Sequence, residues 1–190
     1  NIRLGREAVI NINAGGKQIA AIGSGNGCVH IESGGEVTAV CAGDNCCAMG
    51  TLEGGSGEII LGGGKYELTV NSKSGVCVGS VNGSVSAEVS GGEYSISCEA
   101  NSATGIGDSF GSGDVTVSGG TFRLHISASA QTPIGTASGK TVITGGNIVS
   151  DSREPINAVN PFDEELTETR IECKDSFSRT ISCEKGEYTY

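Results

Sequence analysis

Proline is scarce in this chain, with 3 in 190 residues, and tryptophan is absent. Glycine is abundant, at 32 residues, yet it follows no collagen triplet period and interrupts no long polar tract. Together these argue for an ordered chain with many tight turns rather than a triple helix or a disordered segment. Basic residues are also few: 12 Lys and Arg stand against 22 Asp and Glu, a net charge of −10. That balance disfavours nucleic acid or an anionic membrane as a partner, because both call for clustered cations. No apolar run approaches the roughly 20 residues of a membrane span, so no membrane insertion is expected. No secretory leader is visible. The chain starts at Asn1 and stops at Tyr190, and it reads as a segment of a larger multidomain chain whose targeting signals lie elsewhere. No stretch carries a convincing 3.6-residue apolar period, so helices are not expected.

What is present is a repeat. Five glycine pairs, Gly34-Gly35, Gly63-Gly64, Gly91-Gly92, Gly119-Gly120 and Gly145-Gly146, succeed one another at steps of 29, 28, 28 and 26 residues. A fixed period in this range marks a solenoid, in which each coil buries its apolar face against its neighbours. Aligning the coils on the second glycine tests the idea. Val37, Tyr66, Tyr94, Phe122 and Ile148 form one column, then Ala39, Leu68, Ile96, Leu124 and Ser150, then Cys41, Val70, Cys98, Ile126 and Ser152. Between them lie mostly polar residues such as Thr38, Glu67, Ser95 and Arg123. This is the period-two alternation of a strand with one buried face.

A second strand precedes each glycine pair, carrying Val29-Ile31, Ile59-Leu61, Val85-Val89, Val115-Val117 and Thr141-Ile143. A third element places Ile22, Met49, Val78, Ile106 and Ile134 immediately before Gly23, Gly50, Gly79, Gly107 and Gly135. Three strands and three turns fit a coil of this length, with inward residues stacking about 4.8 Å apart. The expected fold is all-β: a right-handed parallel β-helix of about five to six coils over residues 1–150. A sandwich would need turns every 8 to 12 residues but no constant coil length. After a connection at 151–165, residues 166–190 read as two or three strands. They would form a C-terminal β cap over the end coil or open a following domain.

The strings AIGSGNG (21–27), GIGDSFGSGDVTVSGGTF (105–122) and IGTASGKTVITGG (134–146) resemble the glycine-rich GIGxG…GG repeats of bacterial cell-surface proteins, notably of gut Firmicutes. The resemblance covers roughly residues 20–150, and the middle coils depart from it at Gly50–Glu53 and Gly79–Asn82. It implies a right-handed β-helix module that is extracellular, secreted or cell-surface, adhesin-like or carbohydrate-binding, with further modules beside it.

Cysteine makes up 8 residues. Cys41 and Cys98 share an inward column two coils apart, about 9.6 Å, beyond disulfide reach. Together with Cys47 they are expected as buried free thiols. Cys46 and Cys77 are expected to point outward on neighbouring coils. Cys173 and Cys183 flank a hairpin and are the best disulfide candidates. No C-x-x-C pair exists and His30 and His125 lie about three coils apart, so neither metal nor cofactor is expected.

Catalysis has few candidates. Arg123 and His125 share an outward face, and Asp151 follows one coil beyond His125. This is the most chemical-looking constellation, although a solvated surface ion pair on the last coils is the favoured reading of it. Asp108 and Asp114 share a turn, where an Asp commonly accepts backbone hydrogen bonds. No Gly-x-Ser-x-Gly elbow stands before a helix, and no lysine follows the GSG strings. Tyr66, Tyr94 and Phe122 are committed inward, which leaves few aromatics for sugar stacking, chiefly Phe162, Phe177, Tyr188 and Tyr190. The expected role is a non-catalytic surface module, spacer or adhesin-like, binding a glycan or a host or surface protein. The alternative is a fragment or accessory domain of a carbohydrate-active enzyme.

Overall fold

A computed structural model describes residues 1–152 and the main chain of Thr169–Cys173 and Ile181–Ser182. The elements run β1 (Ile2–Leu4), β2 (Val9–Ser24), β3 (Cys28–Ser33), β4 (Glu36–Glu99), β5 (Ser102–Asp108), β6 (Val115–Val117), β7 (Thr121–Ser127), β8 (Ala130–Thr136), β9 (Thr141–Ile143), β10 (Gly146–Ser150), β11 (Thr169–Cys173) and β12 (Ile181–Ser182). No helix occurs among the described residues. β4 is one extended segment that bends around the corners and winds through more than two coils. The chain is a parallel β-solenoid of about five turns.

The register explains the repeat. Ile10 pairs with Val37, Tyr94 with Phe122, and Phe122 with Ile148, each one coil on. On a second face Ile22 pairs with Met49, Val78 with Ile106, and Ile106 with Ile134. On the third, Ile2 pairs with Ile31, Ile31 with Ile59, and Val89 with Val117, then Ile143. Every one of these ladders except its end rungs is buried in a single core running the length of the solenoid. Three aromatic rungs lie face to face. Tyr66 and Tyr94 have ring centroids 4.8 Å apart at 3°, and Tyr94 and Phe122 are 4.6 Å apart at 8°. Strand spacing sets that distance, so like side chains stack on like.

The glycines after the third element form a column for a steric reason. Gly50 has φ 138° and Gly79 φ 130°. A Cβ on Gly50 would lie 1.8 Å from the Gly79 carbonyl oxygen, and one on Gly79 2.0 Å from that of Gly107. At this corner successive coils approach too closely for any side chain.

One expectation about the thiols is overturned. Cys46 and Cys77 do not point outward; both are fully buried in the main core. The second face is covered on both sides, which the alternation could not reveal. Cys46 and Ala48 enter the main core, while Cys47 turns the other way into a small second core with Leu52, Val76 and Val81. Leu52 and Val81 belong to segments that follow the corner glycines and fold back over that face. Cys41, Cys98 and Cys47 are buried, as expected.

At the far end β11 pairs parallel with β10, Ile148 facing Ile171, and β12 pairs antiparallel with β11. Cys183 and the Cys173 side chain lie outside the described residues, as do Phe162, Phe177, Tyr188 and Tyr190.

Candidate functional site

His125 and Asp151 are brought together by one coil step on the first face. Leu124 pairs with Ser150, and Asp151 N–H donates to the Leu124 carbonyl, which sets Asp151 beside His125. His125 Nδ1 donates to Asp151 Oδ2 at 2.5 Å. The side chains are 54% and 46% exposed, so the pair contributes about 0–1 kcal/mol to stability. It borders a shallow groove of about 350 Å³ shared with Ser127, Ala128, Ser129 and Gln131. Ser152 Oγ donates to Gln131 Oε1 at 2.6 Å across the same coil step. A carboxylate that fixes an imidazole can tune a base, but an open groove excludes no water. Arg123 does not join them. It pairs in register with Ser95 and Val149, is exposed, and makes no ion pair with any described residue.

Column reading of the inward residues alone missed a second charged cluster, on the third face near the start of the chain. His30 Nε2 lies 3.0 Å from Glu32 Oε1, His30 Nδ1 3.3 Å from Glu58 Oε2, and Arg3 Nε 2.9 Å from Glu32 Oε2. The register makes these contacts, since His30 pairs with Glu58 and Arg3 with Glu32. The hydrogen bond from His30, and then the charge of Arg3, hold the Glu32 carboxyl below its ordinary range. The same 28- and 29-residue offsets, applied to the outward positions, would have found it. Among the described residues no three His, Cys, Asp or Glu side chains are grouped to hold a metal.

The glycine-pair turns open two adjoining furrows on the same side. One, of about 670 Å³, includes Arg3, Leu4 and Ile60; the other, of about 600 Å³, includes Lys65 and Glu93. Arg6, Gly34, Gly63 and Gly64 line both. Glycines make the floor because φ of +90° at Gly64 and +105° at Gly92 favours them, and no side chain rises to fill the space.

Asp108 is buried, and it acts as the expected turn residue. Its Oδ2 accepts from Gly113 N–H at 2.7 Å and Val85 N–H at 3.1 Å. Burial raises its carboxyl above the ordinary value, and those N–H groups with Ser80 partly offset the rise. Oδ1 has no partner at hydrogen-bond geometry. The loop it anchors is also tied to the preceding coil, Ser109 N–H to Ser80, Phe110 N–H to Val81 and Ser112 N–H to Gly83. It therefore holds up Phe110, an aromatic side chain 57% exposed that the repeat alignment did not single out. Asp114 lies outside this pocket and accepts from Lys140 N–H at 2.8 Å.

No family model, curated protein or solved structure matches this chain.

Proposed function

We propose that the chain is a non-catalytic surface module, a stiff solenoid that serves as an adhesin or spacer and takes an extended glycan or protein along its side. The observation that carries this reading is the pair of glycine-floored furrows, which cross several coils and are open along their length. A chain-like ligand lies across successive coils more readily than a compact substrate does, and Arg6, Lys65 and Glu93 offer polar contacts along the way. Among the described residues the interior is filled by stacked ladders of side chains. Extracellular, cell-surface placement rests on the sequence resemblance alone.

The test is retention on an array of mucins, plant polysaccharides and host matrix proteins, with product release measured in the same samples. Saturable retention on one class, weakened by Arg6→Ala with Lys65→Ala and unaffected by His125→Ala, supports an adhesin. Absence of retention on every surface leaves the spacer reading. Sugar release that His125→Ala abolishes would overturn the proposal in favour of a carbohydrate-active enzyme.

A further inference from the structure

Among the described residues four carry a phenyl or phenol ring, and Tyr66, Tyr94 and Phe122 form the buried stack. Phe110, the fourth, stands in the turn that follows β5, with 57% of its surface exposed. The main chain is pinned on both sides of it. Phe110 N–H donates to the Val81 carbonyl at 3.0 Å and Ser112 N–H to the Gly83 carbonyl at 3.2 Å, while the Gly111 carbonyl accepts from Ser138 N–H at 3.1 Å. The turn also lies directly on the coil before it, since a Cβ on Gly111 would meet the Gly83 carbonyl oxygen at 2.0 Å. The coil that follows leaves the ring uncovered. Ala137 N–H donates to the Asp108 carbonyl at 3.2 Å, yet the very next donor, Ser138 N–H, already reaches Gly111. In parallel register Ala137 therefore matches Ser109 and Ser138 matches Ser112, and Phe110 and Gly111 have no counterpart. The sequence carries the same gap: the step from Gly92 to Gly120 is 28 residues, and the step from Gly120 to Gly146 is 26. The result is a ledge with Phe110 at its edge.

We infer that Phe110 is the stacking platform of a sugar-binding ledge, an inference that rests on the surface-module reading and gives the module a contact apart from the furrows. The chemistry around the ring selects the ligand class. Asn82, in register with Phe110 on the preceding coil, is exposed, and so are Ser84, Ser112 and Ser138. Ser112 Oγ donates to Ser84 Oγ at only 3.4 Å, which leaves both hydroxyls able to serve a ligand. An aromatic anchor for a protein partner works inside a well-packed, desolvated patch. Here the ring stands among hydroxyls and an amide, and Val9, the other exposed large apolar side chain among the described residues, lies in the first coil. A pyranose with equatorial hydroxyls matches both features. Its axial C–H bonds make an apolar face that packs on the electron-rich face of the phenyl ring. Its hydroxyls project at the edge, toward side chains that both donate and accept. The pinned turn holds the platform in place before the sugar arrives, so binding requires little ordering of the protein. β-1,4-linked glucose and N-acetylglucosamine present such a face on every unit, and they are the sugars assigned to the ledge.

The experiment titrates the full chain, with its 4 phenylalanines replaced by 4-fluorophenylalanine, with cellohexaose and with chitohexaose. The fluorine resonance that disappears in Phe110→Ala belongs to the ledge. With at least one of the two sugars it should move saturably, with a Kd of about 0.1–1 mM for so small a contact. Phe110→Ala should melt with the parent, since the side chain is exposed, and should bind the same sugar at least about fivefold more weakly, as read by saturation transfer to the sugar protons. Phe110→Trp should restore binding. Arg6→Ala with Lys65→Ala should leave it unchanged, which separates the ledge from the furrows. A Phe110 resonance that neither sugar moves would overturn the inference, and so would sugar binding that Phe110→Ala leaves intact. If that intact binding is lost in the Arg6 and Lys65 variant, the furrow reading stands and the ledge falls. Retention on matrix proteins that Phe110→Ala removes, with no shift from either sugar, would assign the ring to a protein partner and equally overturn the sugar. The furrow reading fails by itself if polymer retention survives the Arg6 and Lys65 variant and is lost in Phe110→Ala.

Discussion

Tyr94 offers the most discriminating test of the stacked core. Its ring is 2% exposed and lies between Tyr66 and Phe122 at 4.8 and 4.6 Å, and its hydroxyl donates to the Gly91 carbonyl at 2.6 Å. Tyr94→Phe removes only that hydrogen bond and should cost about 0.5–1.5 kcal/mol. Truncating a buried aromatic ring to alanine costs about 3–5 kcal/mol. Tyr94→Ala should fall at the upper end, because two ring–ring contacts, each worth about 0.5–1.5 kcal/mol, go with it. Tyr94→Leu keeps most of the apolar volume, loses the stacking and should fall between the two. The upper value is a large share of a typical folding free energy of about 5–15 kcal/mol. Urea unfolding followed by far-UV circular dichroism reads all three midpoints. A Tyr94→Ala variant within about 1 kcal/mol of the parent would refute the stacked column, and so would a Phe variant as unstable as the Ala variant.

Two further predictions probe the register and the buried carboxylate. Ile96→Asp buries an unpaired charge at a position 2% exposed and should cost more than about 4 kcal/mol, whereas Ser95→Asp, one residue away and exposed, should stay within about 0.5 kcal/mol; equal midpoints for the two would mean that the inward and outward columns are misassigned. Asp108 has a folded-state pKa above its unfolded value, so its contribution favours folding while it is protonated and is lost as pH rises through the folded pKa. Asp108→Asn removes that titration and keeps an acceptor for Gly113 and Val85. The stability of the parent relative to the variant should therefore fall as pH rises from the ordinary carboxylate range through the raised folded-state pKa, and a parent that gains on the variant over that rise would contradict the burial argument.

Where the fold was readable, one side of a strand faced one environment. The columns headed by Val37, Ala39 and Cys41 alternate cleanly, because their outward neighbours are more exposed, and all of their members but Ser150 and Ser152 are core residues in the structure. The glycine periods were readable because close approach of coils admits no substitute at Gly50, Gly79 or Gly107. Alternation failed at Cys46 and Cys77, where a segment of the same coil covers the second side of the strand. A stretch buried on both faces leaves no polar mark to set its phase. A run of seven buried residues from Cys46 to Leu52 is what such a stretch looks like once folded.

The site was readable only where attention followed the coil offset. That offset brought His125 to Asp151 as expected, and it also built the Arg3, His30, Glu32 and Glu58 cluster that the inward columns passed over. Arg123 illustrates the limit of the method. Sharing an outward face with His125 placed it nearby, yet its register neighbours are Ser95 and Val149, and neither offers it a charge. A solenoid separates two kinds of information along the same strand. Inward residues must match the coil above and below, so they repeat and declare the fold. Outward residues answer to solvent and to whatever the surface meets, and they are free to differ at every turn. The furrows follow from the first kind of constraint, since the turn glycines that floor them are required by the backbone. Their rims, Arg6, Lys65 and Glu93, belong to the second, and the choice of ligand would be made there.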